Sequence, residues 1–362
     1  MTKPGLGPAI PRSIDEVDSA WMSSAMGLEV RVAGVAPVGV GATFTSLLYR
    51  VALIGDAAPS SVIVKLPLPD PAERAPVVAL GLYRREVTWY RELATRAPIR
   101  SPGPYFVAIT DDGSQFVIVM QDLSPLEPAD QIRGLTLAQA ESIADALARF
   151  HAWSWESPRL ADSAMVFPAL DSPLGRAVNE QLAALFAAGW AHYRRLADGI
   201  APEVAEFADR FGEYVPALID QLASPRTLAH GELRSDNLFF DADGVPILVD
   251  FQVASQEAGV RDLAYIVSQS LPVEVRRVHE QAILRRYWRG LADAGVRDYP
   301  YERAAEQYRC AVAFGLVYPM VAFTRYDLSA DRGKQVLMTM LERAVTAIAD
   351  NRSVELVAGL RR

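Results

Sequence analysis

The sequence predicts an α+β chain in two lobes, a β-rich N-terminal lobe around one main helix and a larger, mainly helical C-terminal lobe. Three observations predict it. Short β-branched runs bounded by Gly and Pro crowd the chain as far as Met120, helical periodicity dominates from Leu123 onward, and one hairpin pattern interrupts it between Asn237 and Asp250. A length of 362 residues suits about two domains, each able to bury its own core.

Met1 to Asp18 is rich in Pro and Gly and lacks the apolar core of a signal peptide, so export is not indicated. Val35 to Val38 and Ser46 to Leu53 read as strands joined through Gly39-Val40-Gly41-Ala42-Thr43-Phe44-Thr45. Such a turn lets backbone N–H groups approach phosphates, with Thr43, Thr45 and Ser46 as hydroxyl donors, although an ordinary hairpin would use the same glycines. Ser61 to Leu66 is a third strand, with Lys65 ending Val62-Ile63-Val64, and Leu66-Pro67-Leu68-Pro69-Asp70-Pro71 marks a loop leaving it. Leu82, Glu86, Trp89 and Leu93 then share one helical stripe. Glu86 interrupts that apolar face, and a carboxylate so placed needs a partner, for which Lys65 is the natural candidate. Gln115 to Met120 is another apolar strand, running into Gln121-Asp122-Leu123-Ser124-Pro125.

In the helical part, Thr136 and Gln139 form a capping-box pattern that opens a helix through Leu137, Ala140, Ile143, Ala144, Leu147 and His151. His151 lies on the apolar stripe and reads as a satisfied core histidine. Arg276 to Arg289, with Glu274 and Glu280, reads as a solvated helix face. Cys310 to Phe323 is a buried helix or pocket wall. Gly315 and Pro319 interrupt it, and it falls short of the roughly 20 residues a membrane-spanning helix needs.

The chemistry concentrates in His230-Gly231-Glu232-Leu233-Arg234-Ser235-Asp236-Asn237 and in Ile247-Leu248-Val249-Asp250-Phe251-Gln252. An acidic residue on a loop orients or deprotonates an attacking hydroxyl, while a following Asn and an Asp after the next strand bind Mg²⁺ through oxygen, as a hard cation requires. Glu232, Asn237 and Asp250 fit those roles. The turn Asp241-Ala242-Asp243-Gly244 sends the chain out and back, carrying Asn237 and Asp250 to the same end of a hairpin. Asp236 reads as a turn residue, and His230 as a buttress of the loop.

These motifs resemble the His-Gly-Asp-x-x-x-x-Asn loop and the Ile-Asp-Phe-Gln strand end of the aminoglycoside phosphotransferase and choline kinase superfamily, and within it the ecdysteroid-kinase-like branch. Val62 to Lys65 is similar to the Val-Ala-Ile-Lys strand of kinases, and Arg261-Asp262-Leu263-Ala264-Tyr265 to the family's Asp-Leu-Ala-Tyr signature. The resemblance runs from about Gly39 to Tyr326. It implies a protein-kinase-like fold, ATP and Mg²⁺ as cofactors, and transfer of the γ-phosphoryl group to a hydroxyl of a small molecule. Lys65 is then expected on the phosphates with Glu86 holding it. The glycines Gly39 and Gly41 belong to the phosphate turn, and Met120, Gln121 and Asp122 form a hinge that binds the adenine edge between lobes 1–122 and 123–362. Arg234 sits where protein kinases carry a Lys that reaches the transferred phosphate, with a solvated loop charge as its plain alternative. One departure matters: the family's catalytic Asp is Glu232 here. Either the loop has adjusted to the longer side chain, or the chain is a nucleotide-binding pseudokinase with little transferase activity.

A formal charge of −8 without a basic run argues against a nucleic-acid partner. The single cysteine, Cys310, excludes an internal disulfide and suits a reducing, cytoplasmic setting. Trp288, Tyr299, Tyr301, Tyr308, Tyr318, Phe323 and Tyr326 suit an apolar acceptor pocket, although aromatics at helical spacing are mostly core. No dense acidic cluster for a polycationic acceptor is visible. A protein kinase is disfavoured by the absence of Gly after Asp250-Phe251 and of an Ala-Pro-Glu segment.

Overall fold

The computed structural model describes residues 7–39, 45–158, 160, 166–195, 199–323 and 331–360. It divides into two units, one of Met1–Glu127 with Leu248–Val253 and one of Pro128–Ile247 with Ala254–Arg362. The first unit thus runs past Asp122 and takes in the Asp250 segment.

The first unit is built on an antiparallel sheet in the order β1-β2-β3-β5-β4, comprising β1 (Arg31–Val38), β2 (Ser46–Ile54), β3 (Ser61–Pro67), β4 (Pro104–Ile109) and β5 (Phe116–Gln121). β3 is the middle strand and is buried from Val62 to Pro67, which is why its apolar run is continuous. Val62, Val64 and Leu66 enter a core with Val51, Leu53, Val117 and Val119. Each such side chain contributes roughly 1.5–3 kcal/mol on full burial. By strand alternation Lys65 faces the other side of the sheet.

Helix α1 (Ser19–Met26) is N-capped by Asp18, which accepts from the Trp21 N–H at 2.7 Å, and it ends at Gly27 with φ 65°. Helix α2 (Pro71–Ala79) starts inside the Pro-rich loop, with Asp70 as cap and Pro71 in its first turn. Helix α3 (Leu82–Thr88) carries Glu86 and widens into a π turn over Trp89–Leu93. The expectation of one main helix therefore needs α1 and α2 added. β4 was also missed, because its residues are nearly all half-exposed and show no two-residue alternation.

In the second unit, α4 (Leu137–Ser154) opens with the complete Thr136–Gln139 capping box and buries Ala140, Ile143, Ala144, Leu147 and His151. The helix Val260–Ser270 is buried at every position. It packs against α4 and the helices Tyr301–Phe314 and Asp331–Asp350. The solvated-face reading of Arg276 to Arg289 needs a correction at its first residue. Arg276 is fully buried, donating to Glu280 at 2.8 Å and to Asp350, so its charge is tolerated through paired carboxylates. Asp350 lies on the last turn of the helix Asp331–Asp350, too distant in sequence to signal the pairing. Among the described residues no helix is long and apolar enough to cross a membrane.

Cys310 is buried in the helix Tyr301–Phe314, and burial pushes its thiol up to about 12. Native protein should therefore resist a thiol reagent at about pH 8 and react once denaturant is added. The linkage has a definite sign. The folded state keeps the proton that the unfolded state releases near the ordinary thiol value of 9.0, so this group's contribution to stability falls as pH rises above that value toward about 12. Rapid modification of the native thiol would contradict the burial.

Candidate active site

Lys65 sits between two carboxylates in the first unit. Its Nζ lies 2.7 Å from the Glu86 carboxylate and 3.0 Å from Asp250 Oδ1. Side-chain exposure is 5% for Lys65, 2% for Glu86 and 27% for Asp250, so the Lys65–Glu86 contact is dry and the Asp250 side remains reachable. Burial opposes the ammonium charge, but Asp250 and Glu86 outweigh it and raise the Lys65 pKa. Burial pushes the Glu86 carboxyl up to about 7, with Lys65 opposing and Asp250 adding to the rise. Lys65 is thus held on its buried side by Glu86 and on its reachable side by the Asp250 carboxylate.

Asp250 has φ 71°, a left-handed conformation unusual for a residue with a side chain. Its neighbour Phe251 stacks on Trp89, with centroids 3.6 Å apart and planes within 7°. Gln252 donates from Nε2 to Asp250 Oδ2 at 3.2 Å and accepts from the Thr45 hydroxyl at 2.7 Å. The Thr45 carbonyl accepts from Tyr83 at 2.6 Å. Ser46 is buried at the start of β2, and Gly39 turns with φ 66°. Gly41 and Thr43 lie outside the described residues.

Met120 is buried in β5, and the Gln121 N–H donates to the Gly103 carbonyl at 2.9 Å. Asp122 accepts from Arg50, the Ser61 hydroxyl and the Ser124 N–H at 2.7, 2.6 and 2.9 Å. Its side chain therefore fixes the strand exit, which leaves any adenine contact there to backbone groups.

In the second unit, the loop 230–237 follows the short strand β6 (Thr227–Ala229). Asp262, at the start of the helix Val260–Ser270, accepts from the N–H groups of His230 at 2.7 Å and Gly231 at 2.9 Å. His151 Nε2 also lies 3.3 Å from this carboxylate. Burial would raise the Asp262 pKa, but the hydrogen bonds it accepts from His151 and from the His230 N–H hold it below the ordinary value. Asp262 thereby fixes the backbone before Glu232. Gly259 lets His151 approach, since an added Cβ would fall 2.5 Å from its ring. His230 Nδ1 accepts from the Glu232 N–H at 3.4 Å, and Asn237 Nδ2 donates to the Glu232 carbonyl at 2.9 Å. Donation from nitrogen leaves Asn237 Oδ1 as the atom a hard cation would take.

Arg234 lies 3.6 Å from Asp236, a contact within the loop. Gln131, which no sequence signal marked, accepts from the Ser235 N–H at 3.0 Å and donates to the Gln269 carbonyl at 2.6 Å. The hairpin follows as β7 (Leu238–Phe240) and β8 (Pro246–Leu248), with Gly244 at φ 76° in its turn.

Most aromatics expected to wall a pocket are packing residues. Tyr299 and Tyr308 are buried and donate to Gln307 and Glu280, each at 2.8 Å. Trp288 and Tyr301 pack edge to face, and Tyr326 lies outside the described residues. Tyr318 differs. It is half-buried, stacks on Tyr265 with centroids 4.3 Å apart, and accepts from Arg261, whose guanidinium also donates to Glu257. Burial raises its pKa, and the Glu232 carboxylate is among the charges that act on it.

The family model for the ecdysteroid kinase-like family matches residues 40–297. The chain belongs to the ecdysteroid kinase-like family. No curated protein sequence matches it. Among solved structures, this ecdysteroid kinase-like chain is similar to a choline kinase from Cryptosporidium parvum Iowa II, with TM-score 0.57 and 11% identity over 96% of this chain and 98% of that one. It is also similar to APH(2")-IIia in a GDP and kanamycin complex, with TM-score 0.54 and 12% identity over 94% and 99%. At such identities the likeness shows the fold, which is two-lobed and kinase-like, as the sequence motifs had implied.

Proposed function

We propose that this protein is a cytoplasmic small-molecule kinase that transfers the γ-phosphoryl group of ATP to a hydroxyl of a neutral, largely apolar acceptor. The observation that carries the reading is the bridging of Glu86 and Asp250 by buried Lys65. It leaves a cation and a partly exposed carboxylate where phosphates and a metal need opposite charges. Lys65 holds phosphate oxygens, and Glu86 keeps Lys65 in place. The turn from Gly39 through Gly41 and Thr43 to Thr45 and Ser46 covers the phosphates, and Met120 to Asp122 border the adenine.

Asn237 and Asp250 would hold Mg²⁺ through oxygen, and the cation would supply positive charge against the phosphates. The donor set fits: both residues offer oxygen, and Asp250 keeps lone pairs free beyond its bonds to Lys65 and Gln252. Glu232 removes the proton of the acceptor hydroxyl as that oxygen bonds to the γ-phosphorus. The bond from phosphorus to the bridging oxygen breaks, and the electron pair leaves with the nucleoside diphosphate. Arg234 steadies the loop through Asp236 and lies on the segment that meets the transferred phosphoryl group.

Arg261 and Glu257 neutralise one another beside Tyr318, which favours a neutral acceptor over a polycation. The similar structure that holds GDP makes GTP the competing donor to assay.

The test is a thermal midpoint. Millimolar ATP with Mg²⁺ should raise it, since a ligand present at 100 times its Kd stabilises by about 2.7 kcal/mol. Asp250→Ala should remove most of the metal-dependent part. Absence of any shift with either nucleotide defeats both the kinase and the pseudokinase readings.

A further inference from the structure

We propose that Gln252 is a positioning residue that couples the metal-ligating carboxylate of Asp250 to the nucleotide turn at Thr45. The inference rests on the nucleotide-and-metal reading above and concerns how that site is held together.

Three donors form a continuous chain. Thr45 Oγ1 donates to Gln252 Oε1 at 2.7 Å, Gln252 Nε2 donates to Asp250 Oδ2 at 3.2 Å, and Lys65 Nζ donates to Asp250 Oδ1 at 3.0 Å. The direction of the middle link follows from chemistry. An ionised carboxylate only accepts, so the Gln252 amide must turn its nitrogen toward Asp250, leaving its oxygen for a donor. The Thr45 hydroxyl is that donor. Thr45 is itself pinned, because its carbonyl accepts from Tyr83, whose hydroxyl also accepts from the Leu68 N–H at 3.3 Å.

Asp250 is therefore gripped at both oxygens, which sets the plane of its carboxylate and the direction of the lone pairs left for a divalent cation. The grip on Oδ2 depends on a turn at the edge of the phosphate-binding segment. A movement of Thr45 when phosphates arrive is transmitted through one amide to the metal ligand. A Gly after Phe251 could make neither bond.

The test uses the full-length protein at saturating ATP, with MgCl₂ titrated from an EDTA-treated start and the thermal midpoint as readout. Gln252→Leu removes both bonds, and Thr45→Val removes one hydroxyl at nearly constant shape. Each should move the Mg²⁺ titration midpoint about 10- to 100-fold higher, the usual cost of removing a group that orients a metal ligand. The double variant should be little worse than Gln252→Leu alone, since both substitutions break the same chain.

Thr45→Val keeps the test open if Gln252→Leu folds poorly. Variants with a lower ligand-free midpoint but a wild-type Mg²⁺ titration would assign Gln252 a packing role and overturn the proposal alone. Additive effects of the two substitutions would also overturn it. A wild-type protein with no Mg²⁺ dependence at any ATP concentration would remove the nucleotide reading and the coupling with it.

Discussion

Glu232→Gln should lower phosphoryl transfer by about 10²- to 10⁴-fold, the range expected for loss of a general base, with nucleotide affinity nearly unchanged. The substitution is close to isosteric, and the lost interaction acts on the acceptor hydroxyl rather than on the nucleotide, so the effect belongs in kcat. Its backbone frame should survive, since it is held by His230 Nδ1, by Asn237 and, one residue earlier, by Asp262. Glu232→Asp then separates the two readings of this position. In an adapted enzyme the shorter carboxylate retreats by on the order of 1 Å and slows the reaction, roughly 10²-fold at the upper end. In a degraded enzyme it restores the family's residue and speeds the reaction. Wild-type turnover by Glu232→Gln with a true acceptor would remove Glu232 as the base and make Asp236 the next carboxylate to test.

The second large effect is expected at Lys65 and Glu86. Removing either partner strands a charge in a dry site, and breaking a buried pair this way typically costs about 3–5 kcal/mol. Lys65→Met and Glu86→Gln should each weaken nucleotide binding strongly, and the double variant should be only slightly worse than the worse single. Asp250 bounds the argument, since its contact with Lys65 persists in Glu86→Gln and gives the ammonium a remaining partner. Fully additive costs in a double-mutant cycle would show that the two side chains act separately.

The sequence made the two-lobed fold legible because its strands and helices carry local patterns. The apolar run of β3 and the stripe through Glu86 can each be read within a few residues, and both point to a cation meeting a carboxylate. Contacts that depend on distant segments were not legible. Nothing near Gln252 announces Thr45, 207 residues away in the chain, and nothing near Gln131 announces Ser235, 104 residues on. Arg276 was misread for the same reason, since an arginine among arginines on a helix resembles a wet face until Asp350 is brought beside it. Asp262 shows a different limit. Its place in the Asp-Leu-Ala-Tyr pattern was readable, but its service to the loop requires a fold in which residues 31 and 32 positions apart meet.

The parallel stack of Trp89 on Phe251 makes the cluster around Lys65 move as one piece. Phe251 follows Asp250, and Trp89 lies just beyond Glu86 on the continuation of α3, so the two rings tie the buried carboxyl of Glu86 to the partly exposed carboxylate of Asp250 on either side of Lys65. Both rings are fully buried. Swinging α3 outward would separate the rings and pull Glu86 from Lys65 in the same motion.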